Sequence, residues 1–230
     1  MNKINYTIKY GSLLTLIFLG LTSCSMTNNN AVKSQNQVAA DYNVQLGVGY
    51  LQQGDISRSK QKLLLAVEQA PNWPPALDAL AYFLETTGEP VRAEDYYKRA
   101  LKIEPHSGAA LNNYGAFLCR SKHYETAEKY FMLATQDPNY VNVGGVYENA
   151  GLCALKIKNY NKAASFFSKA LQNDPHSSIA LLEMADLKYM SAQYSDAQNY
   201  LQRYLKVAEP NTQSRILGQR LANKLGNKGQ

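Results

Sequence analysis

The sequence predicts an all-α protein, a right-handed solenoid of helix hairpins closed by a C-terminal capping helix. Three observations predict it. Small residues recur at Gly47, Ala81, Gly115, Gly151 and Ala185, a spacing of 34 residues broken once by 36. A second series, Ser59, Ala93, Ala127, Ala163 and Ala197, follows the first by twelve residues every time. A third follows seven later, at Ala66, Ala100, Ala134 and Ala170, with Tyr204 as the exception. Staggered series of fixed period are the mark of stacked repeats, each one supersecondary unit long.

The segments can be taken in chain order. Residues 1–12 carry Lys3 and Lys9 and no acid, and Leu13 to Leu21 is an apolar run interrupted by Thr15 and Gly20. A basic start, a short apolar centre and small residues at its end make a secretory leader. The run falls short of the ~18–20 apolar residues of a membrane span. Leu21-Thr22-Ser23-Cys24 closes the leader and resembles the lipobox of bacterial lipoproteins. That resemblance implies cleavage before Cys24, a diacylglycerol thioether on its sulfur and a further acyl chain (palmitate) on the new amine. Each buried methylene contributes ~0.8 kcal/mol, so several chains anchor the protein stably. Ser25 stands where lipoproteins kept at the inner membrane carry Asp, and so the resemblance implies the outer membrane, on its periplasmic face. Residues 24–37 have no aromatic side chain and few apolar ones, which predicts a lipidated flexible tether. A chain of that length reaches roughly 20 Å.

The domain then runs over 38–230. Its repeats fall at about 40–73, 74–107, 108–141, 144–177 and 178–211, with a cap at 212–226. Leu77, Leu80, Ala81 and Leu84 show the i, i+3, i+4, i+7 pattern of a helix. Gln53-Gly54-Asp55 and Thr87-Gly88-Glu89-Pro90 supply turns, with Pro90 suited to the first turn of the next helix. The small residues let paired helices approach. Leu63, Tyr97, Phe131, Phe167 and Leu201 then fill the space beside them. Pro71, Pro105, Pro138, Pro175 and Pro210 end the units. The 36-residue spacing puts an irregular connection near Pro138 to Gly145, and Leu217, Leu221 and Leu225 give the final helix the apolar stripe that a cap needs.

These positions resemble the tetratricopeptide repeat, in which the first helix of each hairpin lines a concave groove. Counting positions 2, 5, 9, 12 and 13 of each repeat gives candidate groove residues. Val44, Val48, Leu51, Tyr82 and Asn112 are taken as the partner-binding set, an apolar surface with a polar rim. The Lys and Asn that clamp a C-terminal carboxylate are missing from positions 5 and 9, which hold Val44/Val48, Asp78/Tyr82, Asn112/Ala116 and Glu148/Leu152. Asn113 is placed either to hydrogen-bond a neighbouring helix or to meet a ligand.

Catalytic chemistry is not in evidence. No Gly-rich phosphate loop, HExxH or GxSxG string occurs. His106 and His176 lie two repeats apart, too far to share a metal. No enzyme activity, cofactor or metal is expected, nor nucleic-acid binding, since a net charge of +6 is spread along the chain. Cys119 and Cys153 fall on the first helices of adjacent repeats and are expected as buried small side chains; a bridge would need Cα atoms within ~7 Å.

Three strings are more specific than the repeat: Leu111 to Cys119 (LNNYGAFLC), Glu148 to Cys153 (ENAGLC) and Ala180 to Leu187 (ALLEMADL). With the lipobox and the repeat number, the chain resembles the type IV pilus biogenesis and stability lipoproteins of proteobacteria, the PilW/PilF pilotin family, over about residues 40–226. The resemblance implies a protein that binds pilus secretin subunits and helps them reach the outer membrane and multimerise. The competing reading is another periplasmic scaffold of the same repeat, a barrel-assembly or cell-wall-hydrolase adaptor.

Overall fold

A computed structural model describes residues 34–226, and the expected leader, Cys24 and the tether up to residue 33 lie outside the described residues. Eleven helices and no strand occur among the described residues. Five antiparallel hairpins pair α1 (Gln35–Gln52) with α2 (Ile56–Gln69), α3 (Pro74–Thr86) with α4 (Pro90–Ile103), and α5 (Gly108–Arg120) with α6 (Tyr124–Ala134). They continue with α7 (Val143–Lys156) and α8 (Tyr160–Asn173), then α9 (Ser178–Met190) and α10 (Tyr194–Val207). Helix α11 (Thr212–Gly226) packs on α10 and α9. Each hairpin contacts its neighbours in the sequence, and α1, α3, α5 and α7 also touch in succession. This is the stacking of a solenoid.

Helix α1 begins at Gln35, inside the segment read as tether, because the chain supplies a start signal there. Ser34 Oγ accepts from the Gln37 amide while the Gln37 side chain accepts from the Ser34 amide, a reciprocal capping box.

The three periodic series are the core. Ser59, Leu63 and Ala66 of α2 are wholly buried. So are Ala127, Phe131 and Ala134 of α6, and Ala163, Phe167 and Ala170 of α8. The first-helix glycines explain themselves by distance. A Cβ on Gly47 would lie 2.5 Å from Leu63 Cγ, one on Gly115 2.9 Å from the Phe131 ring, and one on Gly151 2.7 Å from the Phe167 ring. Real Cβ atoms do not approach so closely, so the bulky residue of the second helix demands a bare backbone opposite it. Tyr204, the exception in the third series, is buried and donates its hydroxyl to the Glu209 carbonyl at 3.0 Å. It thereby turns the chain toward α11.

One further periodicity belongs to the turns within hairpins. Gly54, Gly88, Lys122, Lys158 and Ala192 all have φ between 56° and 88°. The amide after each closes onto the carbonyl five residues back, as in His123 N–H to Leu118 O and Gln193 N–H to Lys188 O. A left-handed residue followed by this bond terminates a helix and reverses the chain. Glycine takes that conformation freely, whereas the two lysines and the alanine take it at a steric cost.

The irregular connection after α6 is also accounted for. Asp137 Oδ2 accepts from the Gly108 amide at 2.7 Å, at the start of α5, and Oδ1 accepts from Asn139 N–H. These two bonds hold the Asp137 carboxyl below its usual pKa. Tyr140 packs against Gly108, where a Cβ would meet its ring at 2.6 Å. The longer repeat thus accommodates one aromatic plug.

Candidate functional site

The inner face of the stack carries a polar ladder. Asn113 Nδ2 on α5 donates to Asp78 Oδ2 on α3 at 2.9 Å, the neighbouring-helix bond of the two roles open to Asn113. Asn149 Nδ2 on α7 donates to Asn112 Oδ1 on α5 at 3.0 Å. Ser177, at the cap of α9, donates to Glu148 on α7. Gln213 of α11 donates to Glu183 and Asp186 of α9. These bonds tie consecutive first helices, and the cap, together; a slipped rung would leave the buried Asp78 and Asn112 without these partners, whereas the Gln213 rung is exposed.

A covalent rung lies among them. Cys119 of α5 and Cys153 of α7 form a disulfide with Cα atoms 5.8 Å apart. The two cysteines were expected as separate buried thiols. Their 34-residue separation is two short of the 36-residue spacing between these two repeats, so they are not like positions: stacking brings Cys119, four residues after Gly115, beside Cys153, two residues after Gly151.

Between α3 and α5 this face opens into a cleft of about 420 Å³. Pro75, Asp78, Ala79 and Tyr82 come from α3, and Ala109, Asn112, Asn113, Ala116 and Arg120 from α5. Tyr97 of α4 and Asn149 of α7 complete the lining. Pro75, Asp78, Tyr82, Ala109, Asn112, Ala116 and Arg120 all occupy positions counted as groove-facing in the sequence. Of the five candidate partner-binding residues, Tyr82 and Asn112 line this cleft. Tyr82 is 43 % exposed, while Asn112 is 8 % exposed and held by Asn149. Val44, Val48 and Leu51 sit apart on α1, half-buried. Val44 packs on the cluster of Ala40, Ala66, Ala70 and Ala76, and Leu51 on the main core.

The electrostatics of the cleft are lopsided. Arg120 Nη2 donates to Glu85 Oε2 at 2.8 Å, and its guanidinium lies 5.7 Å from the Tyr82 ring centroid. That cation is therefore neutralised. Asp78 is 8 % exposed, its Oδ2 satisfied by Asn113 alone, and its Oδ1 is buried with no hydrogen-bond partner. Burial pushes its pKa up to about 7, with the Asn113 bond opposing and the Glu104 charge adding to the rise. Sequence reasoning placed Asp78 at position 5 without singling it out, because its burial depends on α5 closing over it. Among the described residues no cluster of three or more His, Cys, Asp or Glu could hold a metal ion.

With the geometry in view, known proteins can be compared. Residues 74–117 and 154–218 each match the tetratricopeptide repeat. The curated type IV pilus assembly protein PilF of Pseudomonas aeruginosa is 36 % identical over 92 % of this chain and 85 % of its own length. The chain belongs to the PilF family. A solved Pseudomonas aeruginosa PilF superimposes with a TM-score of 0.73 at 35 % identity, covering 85 % of this chain and 88 % of that one. A crystal structure of PilW, described as a widely conserved type IV pilus biogenesis factor, gives a TM-score of 0.71 at 26 % identity over the same shares. Those relatives share nearly the full described stack, so the cleft of this PilF-family chain sits within the region they have in common.

Proposed function

We propose that this chain is a lipoprotein of type IV pilus biogenesis, anchored at the periplasmic face of the outer membrane. There it binds pilus secretin subunits through its concave face and promotes their delivery and multimerisation. The observation that carries this reading is the likeness to PilF over almost the whole of both chains. Two chemical features support it. Leu21 to Cys24 reads as a lipobox, with Ser25 in the position that sorts lipoproteins outward. The Cys119–Cys153 bridge suits an oxidising compartment such as the periplasm, because cytosolic thiols are kept reduced. The tetratricopeptide match and the likeness to PilF support the role of a scaffold, and the cleft offers amides, aromatic rings, one carboxyl and the Arg120 guanidinium to a partner.

The test is a deletion strain, scored for heat-resistant secretin multimer in separated outer-membrane fractions. The deletion is expected to leave subunits made but largely unassembled, with few surface pili. Cys24→Ser is expected to leave subunit binding intact in a pulldown while failing to deliver multimer to the outer membrane. Normal multimer in the deletion strain overturns the reading and favours the barrel-assembly or cell-wall-hydrolase scaffold.

A further inference from the structure

The α3–α5 cleft holds a carboxyl, Asp78, that no cation answers among the described residues. Asp78 is more than nine-tenths buried, with Oδ1 accepting nothing, and Asn113 contributes a neutral donor to Oδ2. Among the described residues the one cation lining the cleft, Arg120, is held by Glu85. Asn112, Asn113 and Asn149 are neutral, and two of their amides are spent on the ladder. An ionised Asp78 therefore leaves a net negative charge on a largely buried carboxyl, where a charge interacts more strongly than in water. Glu104 adds to that negative field. The walls beside it are apolar: Ala79, Ala109 and Ala116 with the rings of Tyr82 and Tyr97.

A carboxylate at the base of apolar and aromatic walls has one complementary side-chain chemistry. We propose that the cleft takes a Lys or Arg side chain of an extended partner segment, its aliphatic stem against Tyr82 and the alanines and its cationic head facing the Asp78 carboxylate. A long cationic side chain pairs an apolar stem with a charged tip, and aromatic faces attract cations. Arg120 over Tyr82 already shows the second contact within the protein. Oδ1 is covered in the free chain, so a bond to it takes a rotation of the carboxylate as the cation enters. The raised pKa of Asp78 fits a carboxyl awaiting a counter-charge, since a bound cation favours the ionised form. The cleft volume of about 420 Å³ is ample for one such residue with its backbone neighbours. The proposal rests on the reading of the concave face as a partner-binding surface and names the chemistry recognised there.

The probe is a set of acetylated, amidated nine-residue peptides in a common Ala/Ser/Leu background, with Lys, Arg, Met, Gln or Glu at the centre, presented to the purified full-length protein. Lys and Arg peptides are expected to be retained at least tenfold over the Met, Gln and Glu peptides. Asp78→Asn, with its fold checked by circular dichroism, is expected to bring them down to the level of Met. Tyr82→Ala is expected to weaken the Lys, Arg and Met peptides together. Equal retention of Lys and Met by the unaltered protein, or a Lys preference that survives Asp78→Asn, overturns the proposal. Preference for Glu overturns it as well and transfers recognition to Arg120. Secretin multimer in a strain carrying Asp78→Asn separates this from the functional reading. Normal multimer there, beside lost Lys retention and a failing deletion strain, leaves the pilus role standing and removes secretin as the basic ligand's source. A Lys preference that depends on Asp78, beside normal multimer in the deletion strain, keeps the cleft and discards the pilus role.

Discussion

Asp78 shows how a single residue can be held at an energetic disadvantage. Its carboxyl ordinarily titrates near 3.8 and in the folded chain near 7, because burial penalises the charge. The native state therefore binds the proton more tightly than the unfolded chain between those values. Its contribution is fully present below about pH 4 and is lost as the pH rises toward 7, at up to about 1.4 kcal/mol per pH unit. Asp78→Asn removes that slope. Urea unfolding at pH 5 and pH 8 should show the wild type losing more stability across the interval than the variant. Equal losses would mean that Asp78 is solvated. The glycines make the opposite case, in which what matters is an absent atom. Gly151→Ala puts a Cβ 2.7 Å from the buried Phe167 ring. It is expected to cost ~1–3 kcal/mol by overpacking. Gly49→Ala meets nothing within 4 Å inside the same kind of helix, and is expected to stabilise by ~0.5–1 kcal/mol. The two midpoints in urea should move in opposite directions.

At the scale of the element, neighbouring hairpins are held by packing, by the amide ladder and by one covalent link. The Cys119–Cys153 disulfide closes a segment with a sequence separation of 34 between α5 and α7. Restricting an unfolded loop of that size contributes about 3–4 kcal/mol. Cys119→Ala with Cys153→Ala should lower the melting temperature in oxidising buffer, and dithiothreitol should then have no further effect on the variant. A wild type that melts alike with and without reductant would contradict a structural role for the bridge. The link joins α5, which supplies Ala109, Asn112, Asn113, Ala116 and Arg120 to the cleft, to α7, which supplies Asn149. It fixes α5 to α7 and so steadies one wall of the cleft.

For the whole molecule, the open end of the stack is the liability. Leu181, Leu182, Ala185, Leu201 and Tyr204 form a cluster that Leu217 and Leu221 of α11 complete, and all seven are buried. A solenoid without its terminal cap exposes that surface to water. A chain ending at Pro210 should melt earlier, bind a hydrophobic dye and associate at concentrations where the intact chain stays monodisperse. A truncated chain with an unchanged melting curve would show that α11 is dispensable. The order of neighbours also bears on function. The cleft lies between the second and third hairpins, the disulfide between the third and fourth, and the cap at the far end, so a cap deletion should impair stability before it impairs recognition.

The sequence by itself determined the repeat, its helices and its core. Ser59, Ala93, Ala127, Ala163 and Ala197 are all buried as the period requires, because a stacked array imposes the same packing demand at every like position. It also marked Pro75, Asp78, Tyr82, Ala109, Asn112 and Ala116 as one face. The turn periodicity at Gly54, Gly88, Lys122, Lys158 and Ala192 was in the sequence too, but hidden, since the backbone accepts Lys and Ala there at a steric cost. Tertiary structure alone decided what happens between repeats. Whether two cysteines come within 5.8 Å depends on how hairpins stack. So does the fate of Val44 and Leu51, drawn into packing, as against Tyr82, left open to solvent. The raised pKa of Asp78 follows from the same cause. Period and residue type say which face a side chain occupies, and only the approach of the next helix says whether water can still reach it.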